Sequence, residues 1–219
     1  MAAFNVAIDG TSGVGKSSAA DLLAAANHMI HLDTGAMYRC VALALKKTGT
    51  ALDDEDGIRR ELDSIQIRFD GKRVFLDGQE VTDAIRTNEI SNLTSRVSAL
   101  PAVRTRMTAL QQRVTEQGGY IVDGRDIGTV VLPEAPVKIF LSAKPEARAR
   151  RRYDEYRQKG IPADYDRILE DIRQRDWQDS HRSTAPLKKA ADAVEIDTSD
   201  MTLDQVVAAI QLLIDGAGK

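Results

Sequence analysis

The chain has 219 residues, of which 42% are hydrophobic, and 33 acidic side chains against 30 Lys and Arg give a formal net charge of −3. Such a chain can bury one sizeable core, so we expect a single domain over residues 1–219 that can carry an inserted subdomain. The acidic balance argues against general binding to nucleic acid or to an anionic membrane. A signal sequence and an apolar run of about 18 residues are both lacking, so we expect a cytoplasmic protein, and we expect it to be a monomer.

The first predicted elements are a buried strand over residues 4–8 and a helix near 16–26, joined by the sequence GTSGVGKS at 10–17. This sequence fits the phosphate-binding pattern G-x-x-x-x-G-K-[ST]. Its glycines let backbone N–H groups turn inward toward phosphate oxygens, and the helix that follows adds the positive end of its dipole. Lys16 can reach the β- and γ-phosphates, and the Ser17 hydroxyl can hold Mg²⁺. The strand before the loop and the helix after it favour a nucleotide site over a chance glycine-rich turn.

Apolar, β-branched runs and helical patterns alternate along the chain, which is typical of a parallel sheet covered by helices on both faces. The predicted core therefore has five strands and five helices. The strands are expected at 4–8, 29–32, 120–123, 137–141 and 193–196, and the helices near 16–26, 36–47, 145–159, 164–177 and 202–214.

The segment HLDTGAMYR at positions 31–39 follows the second predicted strand. Thr34 and Gly35 are expected to end that strand, and Arg39 lies about one turn into the next helix. An arginine at this place can face the ligand crevice at the carboxyl ends of the strands. A surface arginine after an ordinary strand–helix turn is the alternative, and the segment by itself does not decide between the two.

Residues 64–118 break the alternation of strand and helix. Two Asp-Gly pairs, at 70–71 and 77–78, separate short apolar runs and predict a small antiparallel meander. A helical stretch over 91–117 follows, in which Pro101 is expected to start a second segment. We interpret 64–118 as a subdomain inserted into the core.

The sequence YIVDGRDIG at 120–128 ends another predicted strand. Three apolar residues run into Asp123, as in a Walker-B strand, whose carboxylate helps to position Mg²⁺. Arg125 and Asp126 then place a cation and a carboxylate at the mouth of the crevice, where arginine binds phosphate bidentately and a carboxylate accepts from an exocyclic amine. A solvated ion pair on a loop is the alternative, but the position beside a second strand end favours a functional role.

Two charged segments lie toward the C-terminus. Between 144 and 159, seven Lys or Arg stand against three Asp or Glu, and the sequence GIP at 160–162 separates two predicted helices. Residues from about 148 to 162 are therefore a candidate lid that brings cations to a moving phosphoryl group, with a solvated helix face as the alternative. The second segment places three side chains on one expected helix face, namely Arg175, Asp179 and Arg182. These side chains can bind a ligand, and a ladder of ion pairs within the helix is the alternative.

In their order and spacing these segments resemble the bacterial cytidylate kinases, the CMP kinases of the nucleoside monophosphate kinase group of P-loop kinases. The resemblance runs nearly the full length and rests on IDGTSGVGKSS, LDTGAMYR, VDGRDIGTVV-P, KIFLSA, RRR, RD---S-R--APL and DA--IDTS. It implies an α/β fold in which helices flank a five-stranded parallel sheet, with a small antiparallel β and helical monophosphate-binding insert at 64–118 and a helical lid. It also implies transfer of the γ-phosphoryl group of ATP, with Mg²⁺, to CMP or dCMP in pyrimidine nucleotide metabolism.

The resemblance further implies roles for individual residues. ATP would be bound by Gly10, Thr11, Ser12, Gly13, Val14, Gly15, Lys16, Ser17 and Ser18. The cytosine of CMP would lie among Thr34, Ser95, Arg104 and Asp126, its phosphate against Arg39, Arg125 and Arg182, and its ribose against Arg175 and Asp179. The catalytic residues would be Lys16, Arg125 and Arg182, the Mg²⁺ ligands Ser17 and Asp123, and the lid arginines Arg148, Arg150, Arg151, Arg152 and Arg157.

Three other classes of protein share parts of this pattern. A P-loop kinase for another small acceptor, such as AMP, UMP or shikimate, would not need the insert and the Arg125–Asp126 pair in this form. A GTPase switch would carry the guanine-reading sequence N-K-x-D, and no Asn in this chain is followed by Lys. A nucleic-acid-associated ATPase is disfavoured by the acidic balance and by the lack of a basic stripe outside the candidate lid.

Overall fold

The structure, a computed structural model, describes residues 4–182 and 184–217, and the chain divides into two compact units. Unit 1 comprises Met1–Leu32 and Thr115–Lys219, and unit 2 comprises Asp33–Val114. None of the helices in the described ranges has the length and apolar character needed to cross a membrane. In chain order the elements are β1 (Val6–Gly10), α1 (Lys16–Ala26), β2 (Ile30–Asp33), α2 (Thr34–Thr48), α3 (Glu55–Ser64), β3 (Ile67–Asp70), β4 (Arg73–Leu76), β5 (Gln79–Glu80), α4 (Asn88–Val97), α5 (Pro101–Thr115), β6 (Tyr120–Gly124), β7 (Val137–Ser142), α6 (Pro145–Gln158), α7 (Tyr165–His181), β8 (Val194–Asp197) and α8 (Leu203–Ala217).

Unit 1 is built on a five-stranded parallel sheet with the strand order β2-β6-β1-β7-β8. Its central strand is β1, in which Val6 aligns with Ile121 of β6 on one side and with Val137 of β7 on the other. Every residue of β1 is buried, as expected of a parallel strand that is covered on both faces. The predicted sheet is therefore confirmed, with each strand within two residues of its expected position.

Helices α1 and α8 pack on each other and close the core of unit 1 over β6 and β7. Leu23 and Ile210 bring the apolar sides of the two helices against Ile121 and Ile139 of the sheet. Full burial of one such aliphatic side chain contributes about 1.5–3 kcal/mol, so this layer is a main source of stability. The helices predicted near 16–26 and 202–214 are these two.

Helices α6 and α7 form an antiparallel pair around a small apolar cluster. Tyr153 and Tyr165 meet edge to face in this cluster, with 6.2 Å between their ring centres. Gly160 lies between the helices at φ +68°, where glycine is favoured, so the predicted break in the charged segment is confirmed. One expectation is wrong: α7 ends at His181, and Arg182 follows it with an extended backbone, so Arg182 does not share the helix face of the residues before it.

Unit 2 combines the antiparallel sheet β3-β4-β5 with helices α2 to α5. At the first Asp-Gly turn Asp70 pairs with Arg73, and at the second Leu76 pairs with Gln79, so the predicted meander is confirmed. The helical stretch is interrupted after Val97 and begins again at Pro101, as proline at a helix start predicts.

Helix starts account for two differences from the sequence-based expectations in unit 2. Thr34 and Gly35 do not end a strand but open α2, because the Asp33 carboxylate accepts from the Ala36 N–H at 2.9 Å and caps the helix. The additional helix α3 is capped in the same way by Asp54. Both caps follow the preference of aspartate for the N-cap position.

Candidate active site

The loop between β1 and α1 has the backbone geometry of a phosphate cradle. Gly10 leaves β1 at φ +147°, and a Cβ there would lie 2.0 Å from the carbonyl oxygen of Leu141, so only glycine fits. Gly15, at φ +92°, then directs the chain into α1 without a side-chain cap. The first N–H groups of α1 are therefore available to an anion.

The Lys16 ammonium lies against this loop. Its Nζ donates to the carbonyl oxygens of Gly10 at 2.8 Å and of Thr11 at 2.6 Å. Burial, and next the charge of Arg125, lower the pKa of Lys16 well below its ordinary value, although nearby carboxylates oppose them. A phosphate bound here would offset both effects, which is the electrostatic reason why this loop favours an anion.

Asp123, near the end of β6, lies beside the start of α1. Its Oδ2 accepts from the Ser17 hydroxyl at 2.9 Å, and its Oδ1 lies 2.8 Å from Nε2 of His31 on β2. Nδ1 of His31 lies 2.7 Å from a carboxylate oxygen of Asp21. Burial opposes ionisation of Asp123, but the hydrogen bond and charge of His31, together with the charge of Lys16 and the Ser17 hydrogen bond, hold the pKa of Asp123 below its ordinary value. The oxygens of Ser17 and Asp123 are ligands of the kind that Mg²⁺ prefers.

Two ion pairs lie just beyond the end of β6. Arg125 donates from Nε to Oδ2 of Asp179 at 3.0 Å, although 54 residues separate them. Arg182 Nη2 lies 3.7 Å from Oδ1 of Asp126, and both side chains are almost fully buried. Burial opposes ionisation of Asp179, but the charges of Arg125, Arg175 and Arg182 and the Arg125 hydrogen bond together hold the pKa of Asp179 below its ordinary value. The structure thus brings together the predicted residues Arg125, Asp126, Arg175, Asp179 and Arg182.

Arg148, a predicted lid arginine, is 2% exposed and anchors α6 within unit 1. Its guanidinium donates to the carbonyl oxygens of Ala143 at 3.0 Å and of Ser12, in the phosphate loop, at 3.1 Å. It also makes a two-point ion pair with Asp176 of α7, at 3.0 and 2.5 Å. Arg148 therefore links the phosphate loop to both helices of the α6–α7 pair.

The other predicted lid arginines have different surroundings. Arg151 donates to backbone carbonyl oxygens beyond β8, which is a second anchor for α6. Arg150 and Arg157 each lie 5.9 Å from the ring centre of Tyr153, and Arg150 makes an exposed ion pair within α6. Arg152 is half-buried.

Four predicted site residues lie in unit 2, namely Thr34 and Arg39 on α2, Ser95 on α4 and Arg104 on α5. Arg104 is only 4% exposed. Its Nη1 donates to the carbonyl oxygen of Ser98 at 3.3 Å, and its guanidinium carbon lies 5.6 Å from the ring centre of Tyr38. Cation–π contact with Tyr38, one helical turn after Thr34, thus orients this buried cation.

Sequence reasoning did not identify His31 or Asp9 as site residues. His31 was passed over because it lacks metal-ligand spacing with Cys40. The available signal was its position in β2, near the end of the strand that neighbours β6 in the sheet. Asp9 is the next-to-last residue of the buried strand β1, and an acidic residue near the buried end of an apolar strand was the available signal.

The fold and the site together define a class of protein. A phosphate loop after the first strand of a parallel sheet, a buried carboxylate on the neighbouring strand and a set of arginines form the arrangement of P-loop kinases. Within this class the chain belongs to the cytidylate kinase family, because the sequence model described as Cytidylate kinase matches residues 6–215.

Curated relatives match the chain over most of its length. The cytidylate kinase of Syntrophotalea carbinolica is 50% identical over 206 residues, 92% of this chain and 88% of that protein. The cytidylate kinase of Mycobacterium leprae is 48% identical over 95% of this chain and 94% of its own. The cytidylate kinase of Exiguobacterium sibiricum is 44% identical over the whole of both chains. The family resemblance is therefore confirmed.

Solved structures share the fold at low sequence identity. Shikimate kinase from Bacteroides thetaiotaomicron aligns over all of both chains with a TM-score of 0.51 and 11% identity. An uncharacterized protein from Eubacterium ventriosum aligns over 97% of this chain and 98% of its own with a TM-score of 0.52 and 14% identity. These likenesses concern the fold alone, and they confirm the predicted P-loop kinase architecture.

Proposed function

We propose that this protein transfers the γ-phosphoryl group of ATP to CMP or dCMP, giving CDP or dCDP and ADP, in cytoplasmic pyrimidine nucleotide metabolism. Its partners are these small molecules rather than nucleic acid or membrane, and it acts as a monomer. The observation that carries the proposal is the cluster of Arg125, Asp126, Asp179 and Arg182 beside a phosphate loop, in a chain of the cytidylate kinase family.

ATP binds with its phosphates in the loop over residues 10–18, where Lys16 lies against the β- and γ-phosphates. Ser17 and Asp123 would hold Mg²⁺, which would supply positive charge to offset that of the phosphates. Mg²⁺ keeps several waters and needs few protein ligands, so a hydroxyl and a carboxylate 2.9 Å apart suit it. No cage of three or more His, Cys, Asp or Glu side chains occurs within residues 4–182 and 184–217.

The monophosphate needs arginines rather than a general base. Its phosphate is the nucleophile and is ionised near neutral pH, so the protein has to align two anions and reduce their repulsion. Arg39, Arg125 and Arg182 supply the positive charge. Asp179 and the Gly124 carbonyl oxygen bind Arg125 from two sides, which fixes the direction of its other N–H groups.

The base and the ribose are bound by the remaining predicted residues. The Asp126 carboxylate accepts from the exocyclic amine of cytosine, and Arg104 donates to the ring acceptors. Thr34 and Ser95 complete the base contacts. The ribose lies against Arg175 and Asp179.

The lid over about 148–162 excludes water when both nucleotides are bound. Arg148 and Arg151 are anchored by carbonyl oxygens outside α6, so the part of the lid that moves begins beyond them. Arg152 and Arg157 lie in that part and approach the phosphates on closure.

The test is ADP release with equal concentrations of CMP, dCMP, UMP, AMP and shikimate. We expect kcat/KM for CMP to exceed that for UMP by about 10²-fold, because uracil presents a carbonyl to Asp126. Asp126→Ala should reduce that ratio, and Asp200→Asn, an exposed Asp, should leave it unchanged. A higher kcat/KM with AMP or shikimate would contradict the proposal.

A further inference from the structure

Asp9 is a buried carboxylate to which the proposed reaction assigns no step. It directly precedes Gly10 and is 3% exposed. Its Oδ1 accepts from the N–H of Ile127 and its Oδ2 from the N–H of Gly128, both at 2.7 Å. Both oxygens of this carboxylate therefore bind consecutive peptide groups that are more than 100 residues away in the chain.

The two peptide groups begin a short turn of π-helical type, Ile127–Val131. A helical turn leaves its first N–H groups without acceptors of its own. Here the Leu132 N–H donates to the Ile127 carbonyl oxygen at 2.7 Å. The first two amides of the turn, those of Ile127 and Gly128, donate outside it to Asp9. Asp9 supplies both acceptors, so β1 determines where the turn begins.

The turn continues directly from Arg125 and Asp126, and it is tightly packed. A Cβ on Gly128 would lie 3.3 Å from the Lys138 side chain and 3.4 Å from Oδ2 of Asp9. The segment therefore has little room to move while Asp9 binds it. The side chains that the proposed function assigns to the monophosphate lie at its start.

We propose that Asp9 is a positioning residue for the monophosphate site, which sets Arg125 and Asp126 relative to the phosphate loop by binding the amides of Ile127 and Gly128. The inference rests on the proposed function, because it takes base recognition by Asp126 from there. The phosphate loop begins one residue after Asp9, so a single carboxylate aligns that loop with Arg125 and Asp126 within unit 1. Misplacement by about 1 Å can cost on the order of 10²-fold in rate, which is why such alignment matters.

Asp9→Asn tests this role with the least change in shape. Asn keeps one acceptor but places an NH₂ donor against the second amide. We expect hydrogen exchange at Ile127 and Gly128 to become about tenfold faster while the neighbouring strands keep their rates. We also expect kcat/KM for CMP to fall by about tenfold, the CMP-to-UMP preference to shrink and the KM for ATP to change less than about threefold. Asp9→Ala should have a larger effect, and Asp200→Asn none.

A double-mutant cycle separates positioning from general destabilisation. If Asp9 acts through Asp126, Asp9→Asn should change the base preference little further in an Asp126→Ala background. An unchanged preference in folded Asp9→Asn, or additive losses in the cycle, would overturn the inference. Should the Asp9 variants not fold, Gly128→Ala is the second variant, because its added Cβ would crowd Oδ2 of Asp9 without altering charge. Its base preference can be compared in the same cycle with Asp126→Ala.

The two proposals fail in distinguishable ways. Wild-type protein without CMP kinase activity, or an Asp126→Ala variant with unchanged base preference, would overturn the proposed function. The exchange rates of the Ile127 and Gly128 amides would still report on Asp9, because they need no substrate. Wild-type activity with a base preference that depends on Asp126 but not on Asp9 would overturn only the inference about Asp9.

Discussion

Nε2 of His31 lies 2.8 Å from Oδ1 of Asp123, and Nδ1 of the same ring lies 2.7 Å from Asp21. A carboxylate can only accept, so a ring nitrogen must carry a proton to bond to it. The other oxygen of Asp123 accepts from Ser17. His31 and Ser17 therefore hold the proposed magnesium carboxylate from two sides.

Loss of His31 should weaken Mg²⁺ binding more than it weakens the fold. We expect His31→Leu to raise the Mg²⁺ concentration for half-maximal activity by about tenfold, since groups that orient a metal ligand have effects of this size. Calorimetry of Mg²⁺-dependent ADP binding should show the same shift without turnover. His31→Gln, which keeps a donor, should restore part of the affinity, and His28→Asn should have no effect. Equal Mg²⁺ dependence in wild type and His31→Leu would contradict this role.

Lys16→Ala should remove most of the activity without unfolding the protein. The site acts by stabilising charge on the phosphates, and loss of one cation there should lower kcat by about 10²-fold or more. The same substitution also removes a buried ammonium whose pKa is lowered by its surroundings, so we expect thermal unfolding close to that of the wild type. A folded variant with near-wild-type turnover would remove the loop lysine from the mechanism.

Arg104→Met tests the buried arginine of unit 2. Met fills a similar volume but cannot donate to cytosine, so kcat/KM for CMP should fall by about tenfold or more while the KM for ATP stays nearly constant. Arg104→Lys retains the charge without the planar group and should restore only part of the loss. Unchanged CMP kinetics in Arg104→Met would exclude Arg104, and Ser95 with it, from base recognition.

The free energy of unfolding should depend on pH through the protonation of Asp9. Burial raises the pKa of Asp9 from 3.8 to about 6, the Asp126 charge adds to this, and the Gly128 and Ile127 amides and Lys16 oppose it. The folded state therefore binds this proton more tightly, and the resulting stabilisation, complete below about pH 4, is lost as the pH rises through about 6. The Asp9→Asn variant has no titratable group at this position. Urea unfolding should show the wild type losing about 2 kcal/mol relative to that variant between about pH 4 and about pH 7, and a constant difference would contradict this.

Sequence patterns located most of the helices and strands, because individual elements depend on short-range features. The alternation of apolar runs predicted all five strands of the sheet, and Asp-Gly turns predicted the meander of unit 2. Helix starts were less predictable. Asp33 and Asp54 act as N-caps, but an aspartate cap looks like any loop aspartate until the backbone after it is seen to be helical.

The sequence by itself determined the phosphate loop and the family, because both depend on residue types at set spacing within continuous segments. Only the tertiary structure decided the partners of the site residues. His31 reaches Asp123 and Arg125 reaches Asp179 because the strand order β2-β6-β1 and the return of α7 bring distant segments together. Asp9 binds the turn after β6 for the same reason. Such contacts follow from which strands pair, and no local periodicity along the chain encodes that pairing.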